Sequence, residues 1–523
     1  MESCFERWFS DNLSRPYDYI VIGGGTAGCV VASRLTEDPE VTVLLLEAGG
    51  WDDKSEIHIP AEASSLRQTN IDWKYLTISQ SHACKAKLGE RDEWSSGKVI
   101  GGCSSIDNMY YARGHEADFN SWASLGADGW SWEEVLPFFI HSEGNVREDF
   151  KKSPSHNNNG HLRVSDNAVT TNIGKTFVKA ARELGYQQRD LTSAMDIGVG
   201  IPQATTSNGK RCSTATAYLK IALERPNLAV ITNALVQKVV ICNNQAIGVH
   251  VTVDKKERDV RVLREVILSA GTIESPKGIL SSNGIEGTAL LRTGVDPLCE
   301  WPDIQLNFIP MFFHLGNDEP TLTRYKSLSY DNMMDYSKWE ALRMKKEGVT
   351  FLLILLHPKS KGELTLQKQD PEAPPNIDPR YLEHDQDVAI LKKGMREVKR
   401  LLDTNTMRKS KIELCDVRLP GEPLAFSDEN LDAYIRHFTS TANSPVGTCK
   451  MGAINDRSAV VDPQLRVRGI HGLRVIDASI MPHLPSANSS APTIMIAEKG
   501  VAYITNEHDD IIQRYKQSTG ASL

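Results

Sequence analysis

No stretch of the 523-residue chain approaches the ~20 consecutive apolar residues that a membrane-spanning helix needs. The run FLLILL (351–356) has the length of a buried strand instead. Basic excess is also missing. Lys and Arg number 59 against 67 Asp and Glu, a net charge of −8, so no positive field invites nucleic acid or anionic lipid. The short clusters KKER (255–258) and RKSK (408–411) read as solvated turns. The nine cysteines (4, 29, 84, 103, 212, 242, 299, 415, 449) include no C-x-x-C pair and make an odd total. That excludes an evident disulfide framework or zinc site and points to a reducing compartment. The opening MESCFERWFSDNLSRPYD carries Glu2, Glu6 and Asp11 and lacks an apolar run. It suits neither a signal peptide nor a transit peptide, so the expectation is a cytoplasmic protein. No internal repeat is evident, and oligomeric state stays open.

What is present is ordinary globular composition, 40% apolar and 24% charged, with length for about three domains at ~150 residues each. Near the start, DYIVIGGGTAGCVVASRLTEDPEVTVLLLEAGG predicts strand, glycine turn, helix and second strand. Glycines fall at 23, 25 and 28, and Glu47 closes the second strand nineteen residues after Gly28. Gly23 permits the tight turn, Gly25 lets the backbone approach a pyrophosphate, and Gly28 lets helix pack on strand. The helix start at Thr26 and Ala27 favours phosphate charge, and Glu47 can accept ribose hydroxyls. In this frame the fingerprint is specific for a dinucleotide, although these residues alone suit NAD as well as FAD. A fingerprint at the extreme N-terminus, completed by a C-terminal strand, favours the larger, extended cofactor.

Further along, GHLRVSD predicts a strand and TNIGKTFVKAARELGY an amphipathic helix. NLAVITN, ALVQKVVIC, AIGVHVTVD and VRVLREVILSAG follow as consecutive strands, with DKKERD as a hairpin turn. TIESPKGILSSNGI begins a helix, while DIQLNFIPMFF, VTFLLILLHP and GELTLQ are strands. HDQDVAILKKGMREVKRLL is a helix, and LRVIDASIMP then APTIMIAEKGVAYI close with strand and helix. Alternation at both ends with an antiparallel middle predicts an α/β chain: a Rossmann-like dinucleotide-binding domain and a second α+β domain on a mostly antiparallel sheet.

Taken in order, GGGTAG with LLLEAG, GKVIGGCSSIDNMYYARG, RCSTATAYL, RPNLAVITNALV, SAGTIESPKGILSSNGI, PKSKGELTL, PVGTCKMG, VVDPQLRV and GLRVIDASIMP resemble the glucose–methanol–choline (GMC) oxidoreductases, choline dehydrogenase among them. The resemblance covers roughly residues 16–506. It implies an FAD-dependent oxidoreductase acting on the CH–OH group of a small alcohol. The FAD-binding domain would draw on 16–115, 190–290 and 455–510, the substrate domain on 150–189 and 296–454. The adenine end of the cofactor is expected over Gly23–Gly28, Thr26 and Ala27 included, with ribose at Glu47 and the ring near Val236. The flavin end is expected against Val99, Gly101 and Gly102 and against Asp107, Asn108, Met109 and Tyr110, closed by Asp477 and Ala478.

The chain departs from the family where chemistry is concentrated. The family's histidine base precedes the PVGTC proline; here that position is Ser444. Its hydrogen-bonding partner precedes the APTIM segment; here it is Ser490. An alcohol O–H is roughly as acidic as water, with a pKa about 15.7. A positioned base is therefore worth typically ~10²–10⁴-fold. Serine is no base near neutral pH, so His483 in MPHLPS is the nearest titratable substitute by sequence. Asp107 stands where the family has an asparagine facing the flavin, and its charge would disfavour a reduced ring unless neutralised. The cap segment after residue 287 is expected to be shortened. Two functions follow: an alcohol oxidoreductase with both usual catalytic positions replaced by serine, or a catalytically impaired FAD-binding protein with a binding or regulatory role.

Overall fold

The computed structural model describes residues 13–519 except 86, 151–152, 168–171, 194–196, 277–286, 298–300, 310–348, 368–372, 413 and 415–429. From the N-terminus, β1 (Tyr17–Ile22), α1 (Thr26–Leu35) and β2 (Val43–Leu46) follow in the predicted order. Then come α2 (Asn172–Glu183), β3 (Gly198–Gly200), β4 (Leu228–Ile231), β5 (Ala234–Cys242), β6 (Gln245–Val253) and β7 (Lys256–Leu268). β8 (Gly287–Leu291), β9 (Ile304–Ile309), β10 (Thr350–Leu355), α3 (Asp385–Leu402), β11 (Leu473–Val475) and α4 (Ser490–Thr505) complete the framework used below. Among the described residues no helix is long and apolar enough to cross a membrane.

A seven-stranded sheet has the order β4-β2-β1-β7-β6-β5, with β11 also paired to β7. β4, β2, β1, β7 and β11 run parallel where they meet. Their apolar runs are buried on both faces, one packed by helices and the other by residues of β5, β6 and the first half of β7, such as Ala234, Val249, Val251 and Val260. On one face Val30 and Val31 of α1 share a core with Ile494, Met495 and Ile496 of α4. β7 serves three neighbours along its thirteen residues, β6 at its start and β1 and β11 at its end. Its alternating first half pairs antiparallel with β6, while Val262–Leu268 pairs with β1. The alternation leaves one face to water, and the apolar VIL at 266–268 is what a parallel core requires.

The second sheet is antiparallel, β10-β9-β8-β3. Phe177 of α2 stacks on Phe308 of β9 with ring centroids 5.0 Å apart. α3 lays Val388, Leu391, Met395 and Val398 on the same core, the spacing of a single helical stripe. Its first turn holds Asp385 and Asp387 and its last Lys399 and Arg400, matching the helix dipole.

Several expectations change. β8 was not anticipated, because GTALL is short and carries no alternation. It pairs with β3 on one side and β9 on the other, so β3 and β8 are strands of the antiparallel sheet. FLLILL forms a strand, but Thr350–Leu355 are only half-buried, since β10 lies at the edge of its sheet among the described residues. The hairpin turn is shorter than DKKERD: β7 already begins at Lys256. The helix expected from residue 272 is described over Gly271–Glu274, and its continuation through 277–285 lies outside the described residues, as does 310–313 of the DIQLNFIPMFF strand.

Behind the 99–114 segment sits a buried polar chain. Arg113 pairs with Glu143, whose Oε1 meets His156 Nδ1 at 2.8 Å, while His156 Nε2 meets Asp190 Oδ2 at 2.8 Å. Hydrogen bonds to Asp190 and Glu143 raise the His156 pKa above its ordinary 6.5 despite burial. A pKa raised in the folded state gives stabilisation that is fully present below pH 6.5 and lost as pH climbs through the folded value. His156→Gln should therefore cost on the order of 3 kcal/mol at mildly acidic pH. Denaturant titrations of both proteins across pH should show that gap narrowing as pH rises; a constant gap would mean that folding leaves the imidazole pKa unchanged.

Candidate active site

A partly open cleft, about 1260 Å³ with its solvent-open mouth included, lies across the C-terminal ends of β1, β2 and β7. That is where open parallel sheets bind ligands. At one end the wall is the turn from β1 into α1. Gly23 has φ +97°, and a Cβ there would lie 2.6 Å from Ser269 O. Gly28 does not line the cleft; a Cβ on it would lie 1.8 Å from Gly23 O, so its task is helix-on-strand contact. Gly25 differs, because its Cβ would meet nothing closer than 3.8 Å. A side chain at 25 would occupy cleft space rather than collide with protein. Thr26 and Ala27 line the same end.

Glu47, at the end of β2, is buried with each oxygen held by a backbone donor. Gly24 N–H donates to Oε2 at 2.8 Å and Gly49 N–H to Oε1 at 2.7 Å. Burial pushes its pKa to about 7, opposed by those two bonds. Val236 at the start of β5 faces the cleft nearby.

The middle of the cleft is formed where a second segment crosses the glycine turn. Gly101 N–H donates to Gly24 O at 2.7 Å. A Cβ on Gly102, which has φ +53°, would come within 2.6 Å of Gly25 Cα. Gly102 lines the cleft, whereas Val99 and Gly101 stand behind it; Val99 is fully buried beside Ile57 and Ile106. Asp477 lines the cleft after β11, with both oxygens engaged. Gly271 N–H and Ser275 Oγ donate to Oδ2, and Ser479 N–H and Oγ donate to Oδ1, at 2.6–2.9 Å. It thus caps the turn that begins at Ala478, itself a lining residue.

At the far end the lining includes Asp107, Asn108, Met109, Tyr110, Ser444 and Ser490. Both serines are half-buried, and residues about 45 positions apart in the chain line the same cleft. Asp107 Oδ1 accepts from Met109 N–H at 2.9 Å and from Arg211 Nη1 at 2.8 Å. Burial raises the Asp107 pKa, opposed by Arg211 and by a hydrogen bond from Ser490. Arg67 Nη2 donates to Asn108 Oδ1 at 3.0 Å. His483 is not brought to this end: it is exposed and outside the lining, near Lys361, Lys450 and Lys359, which lower its pKa together with burial of part of its ring. The sequence candidate chosen for proximity in the chain thus does not line the cleft that the serines line.

Other lining residues gave weaker signals. Ser269 and Ala270 sit in the SAG run at the end of β7, readable as a strand end but not as cleft wall. Asn443 is missed because a single asparagine in a loop carries no pattern. It has φ +58°, and its Oδ1 is buried without a hydrogen-bond partner among the described residues. A ligand donor at that wall would satisfy it. The open face at Gly25, the buried acid at Glu47 and a cleft running on to Asn443 and Ser490 together fit an extended dinucleotide such as FAD.

The family description GMC oxidoreductase matches this chain over residues 17–297 and again over 358–497. The glucose dehydrogenase [FAD, quinone] of Drosophila melanogaster is 34% identical, covering 93% of this chain and 86% of the relative. The alcohol dehydrogenase [acceptor] of Pseudomonas putida is 34% identical over 94% of this chain and 96% of its own length. The oxygen-dependent choline dehydrogenase of Sinorhizobium fredii is 33% identical over 93% and 95%. Each alignment is longer than the 523-residue chain, at 542, 546 and 541 positions, so these relatives carry residues this chain lacks. Among solved structures, pyridoxine 4-oxidase superimposes with a TM-score of 0.78 at 25% identity, covering 94% of this chain and 99% of the other.

The two glycines of the fingerprint should separate in experiment. Gly25→Ala should fold with a near-unchanged apoprotein melting temperature yet bind FAD at least about tenfold more weakly, ~1.4 kcal/mol. Gly28→Val should fail earlier, as insoluble or strongly destabilised protein. Thermal melts of apoprotein beside FAD titrations check both; a stable Gly28→Val protein would contradict the packing read here.

Proposed function

The chain belongs to the GMC oxidoreductase family of FAD-dependent flavoproteins, and on that premise we propose that it oxidises the CH–OH group of a small alcohol. One observation carries the reading. A single cleft joins the glycine turn and Glu47 at one end to Asp107, Ser444 and Ser490 at the other. Relatives named for glucose, alcohol and choline oxidation support the substrate class. Bound FAD supplies the two-electron sink that accepts hydride from the alcohol carbon.

The chain's own residues divide the remaining work. Gly23, Gly25, Thr26 and Ala27 would cradle the pyrophosphate at the N-terminus of α1, and Glu47 and Val236 would hold the adenosine end. Asp477 and Ala478 would border the middle. Gly102 and Asp107–Tyr110 would form the wall beside the flavin, with Val99 and Gly101 supporting it from behind. Ser444 and Ser490 would face the alcohol oxygen. Their hydroxyls orient that oxygen by hydrogen bonding, but neither serves alone as a base near neutral pH. The division into FAD-binding and substrate units belongs to this reading too, with β3 and β8 assigned to the substrate side by their pairing.

The serines also favour a second reading, an FAD-binding protein that does not turn alcohols over. The two separate in one measurement. Holoprotein mixed anaerobically with a panel of primary and secondary alcohols should bleach its flavin slowly under the first reading, and not at all under the second. Under the first reading, Ser444→His should raise the bleaching rate by about 10²–10⁴-fold at pH 8, the worth of a positioned base.

A further inference from the structure

Of the carboxylates on the cleft wall, three are committed elsewhere. Both oxygens of Asp477 accept two donors each from the fold. Glu274 Oε1 accepts from Tyr75 OH at 2.5 Å. Glu47 stands at the β2 end, with one backbone donor on each oxygen. Asp107 is placed differently. Met109 N–H and Arg211 Nη1 both bond Oδ1, so Oδ2 carries neither bond. Ser490 lines the same cleft, and its hydroxyl is among the groups that act on the Asp107 carboxyl. Arg211 is itself fixed, its Nε donating to Ile57 O at 2.7 Å and Nη1 to Ser104 O at 3.2 Å. A carboxylate thus held at one oxygen is oriented rather than consumed by its ion pair.

We propose that Asp107 is the terminal proton acceptor for alcohol oxidation, reached through the hydroxyl of Ser490. The inference rests on the proposed function. The alcohol O–H bond breaks and its proton bonds to Ser490 Oγ, while the proton of Ser490 passes to the Asp107 carboxylate. The C–H bond breaks with its electron pair leaving as hydride to bound FAD, and a C=O bond forms. The substrate loses two electrons and the cofactor gains them; one proton remains on Asp107. Serine has the one donor and two acceptor positions that such a relay needs.

Burial raises the Asp107 pKa, which brings a carboxylate closer to the strength wanted of a base at neutral pH. The charged and titratable groups around it are Arg211 and Arg67 behind, and Cys103, Tyr110 and Glu274 along the same wall. A neutral Asp107 after turnover also removes the charge that would oppose electrons on the adjacent cofactor. The relay accounts for a carboxylate at this position and a serine at 490 together.

The test uses FAD-loaded protein, with benzyl alcohol, glucose and choline as probes. Anaerobic bleaching by wild type should rise about tenfold per pH unit up to one ionisation and then level off. Asp107→Asn should lower the plateau by about 10²–10⁴-fold and flatten the profile. Ser490→Ala should do the same and Ser490→Thr should restore most of the rate. A second readout needs no turnover: the visible absorption of resting flavin should shift with pH at the same ionisation in wild type, and not in Asp107→Asn. Bleaching that proceeds at the wild-type rate and profile in Asp107→Asn or Ser490→Ala overturns the relay while leaving alcohol oxidation standing. Absence of bleaching with every probe defeats the proposed function and the relay with it. The resting-flavin shift separates the two failures, since its absence shows that Asp107 does not titrate beside the flavin whatever the substrate.

Discussion

The site depends on one close approach, the backbone of Gly102 against the backbone of Gly25. These positions are 77 residues apart, yet a Cβ on Gly102 would sit 2.6 Å from Gly25 Cα. The adjoining bond from Gly101 N–H to Gly24 O locks the crossing. Because Gly102 has no side chain, the segment carrying Asp107–Tyr110 can lie directly across the mouth of the β1–α1 turn. A side chain at 102 would have to lift that segment away from the turn. The buried chain from Arg113 through Glu143 and His156 to Asp190 then anchors the same segment from behind.

Electrostatics along the cleft follow from burial in graded company. Glu47 is held by two backbone donors and its pKa still moves up to about 7. Asp477 is surrounded by four donors, which makes it a structural acceptor as much as a cleft wall. Asp107 lies between these cases, tied to a cation at one oxygen and adjoining a hydroxyl. Three carboxylates of like chemistry thereby take different tasks, set by what the fold places around each.

The family and much of the framework were legible in the sequence. β1, α1 and β2, the four strands from 228 to 268, α3 and α4 all come from unbroken apolar or periodic patterns. Most of the fingerprint residues expected to hold a cofactor do face one cleft. The failures share a cause. β8 is short and lacks alternation, so its strand character comes from pairing with β3 and β9 rather than from its own residues. FLLILL looks fully buried by composition, but its edge position leaves it half-exposed. His483 was near Ser490 along the chain, yet its side chain is exposed and lies outside the cleft lining.

Local pattern by itself determined the strand–turn–helix fingerprint, the acid closing β2 and the presence of serine at 444 and 490. These are properties of residues within a few positions of each other, where backbone stereochemistry and side-chain chemistry act directly. The tertiary structure alone decided which of those residues share a wall. It divided Gly25, which opens the cleft, from Gly28, which packs the helix, and it brought Asp107 and Ser490 to one cleft with Arg211 paired to Asp107. No spacing rule reports such juxtapositions, since they arise from strand pairing and helix packing between segments hundreds of residues apart.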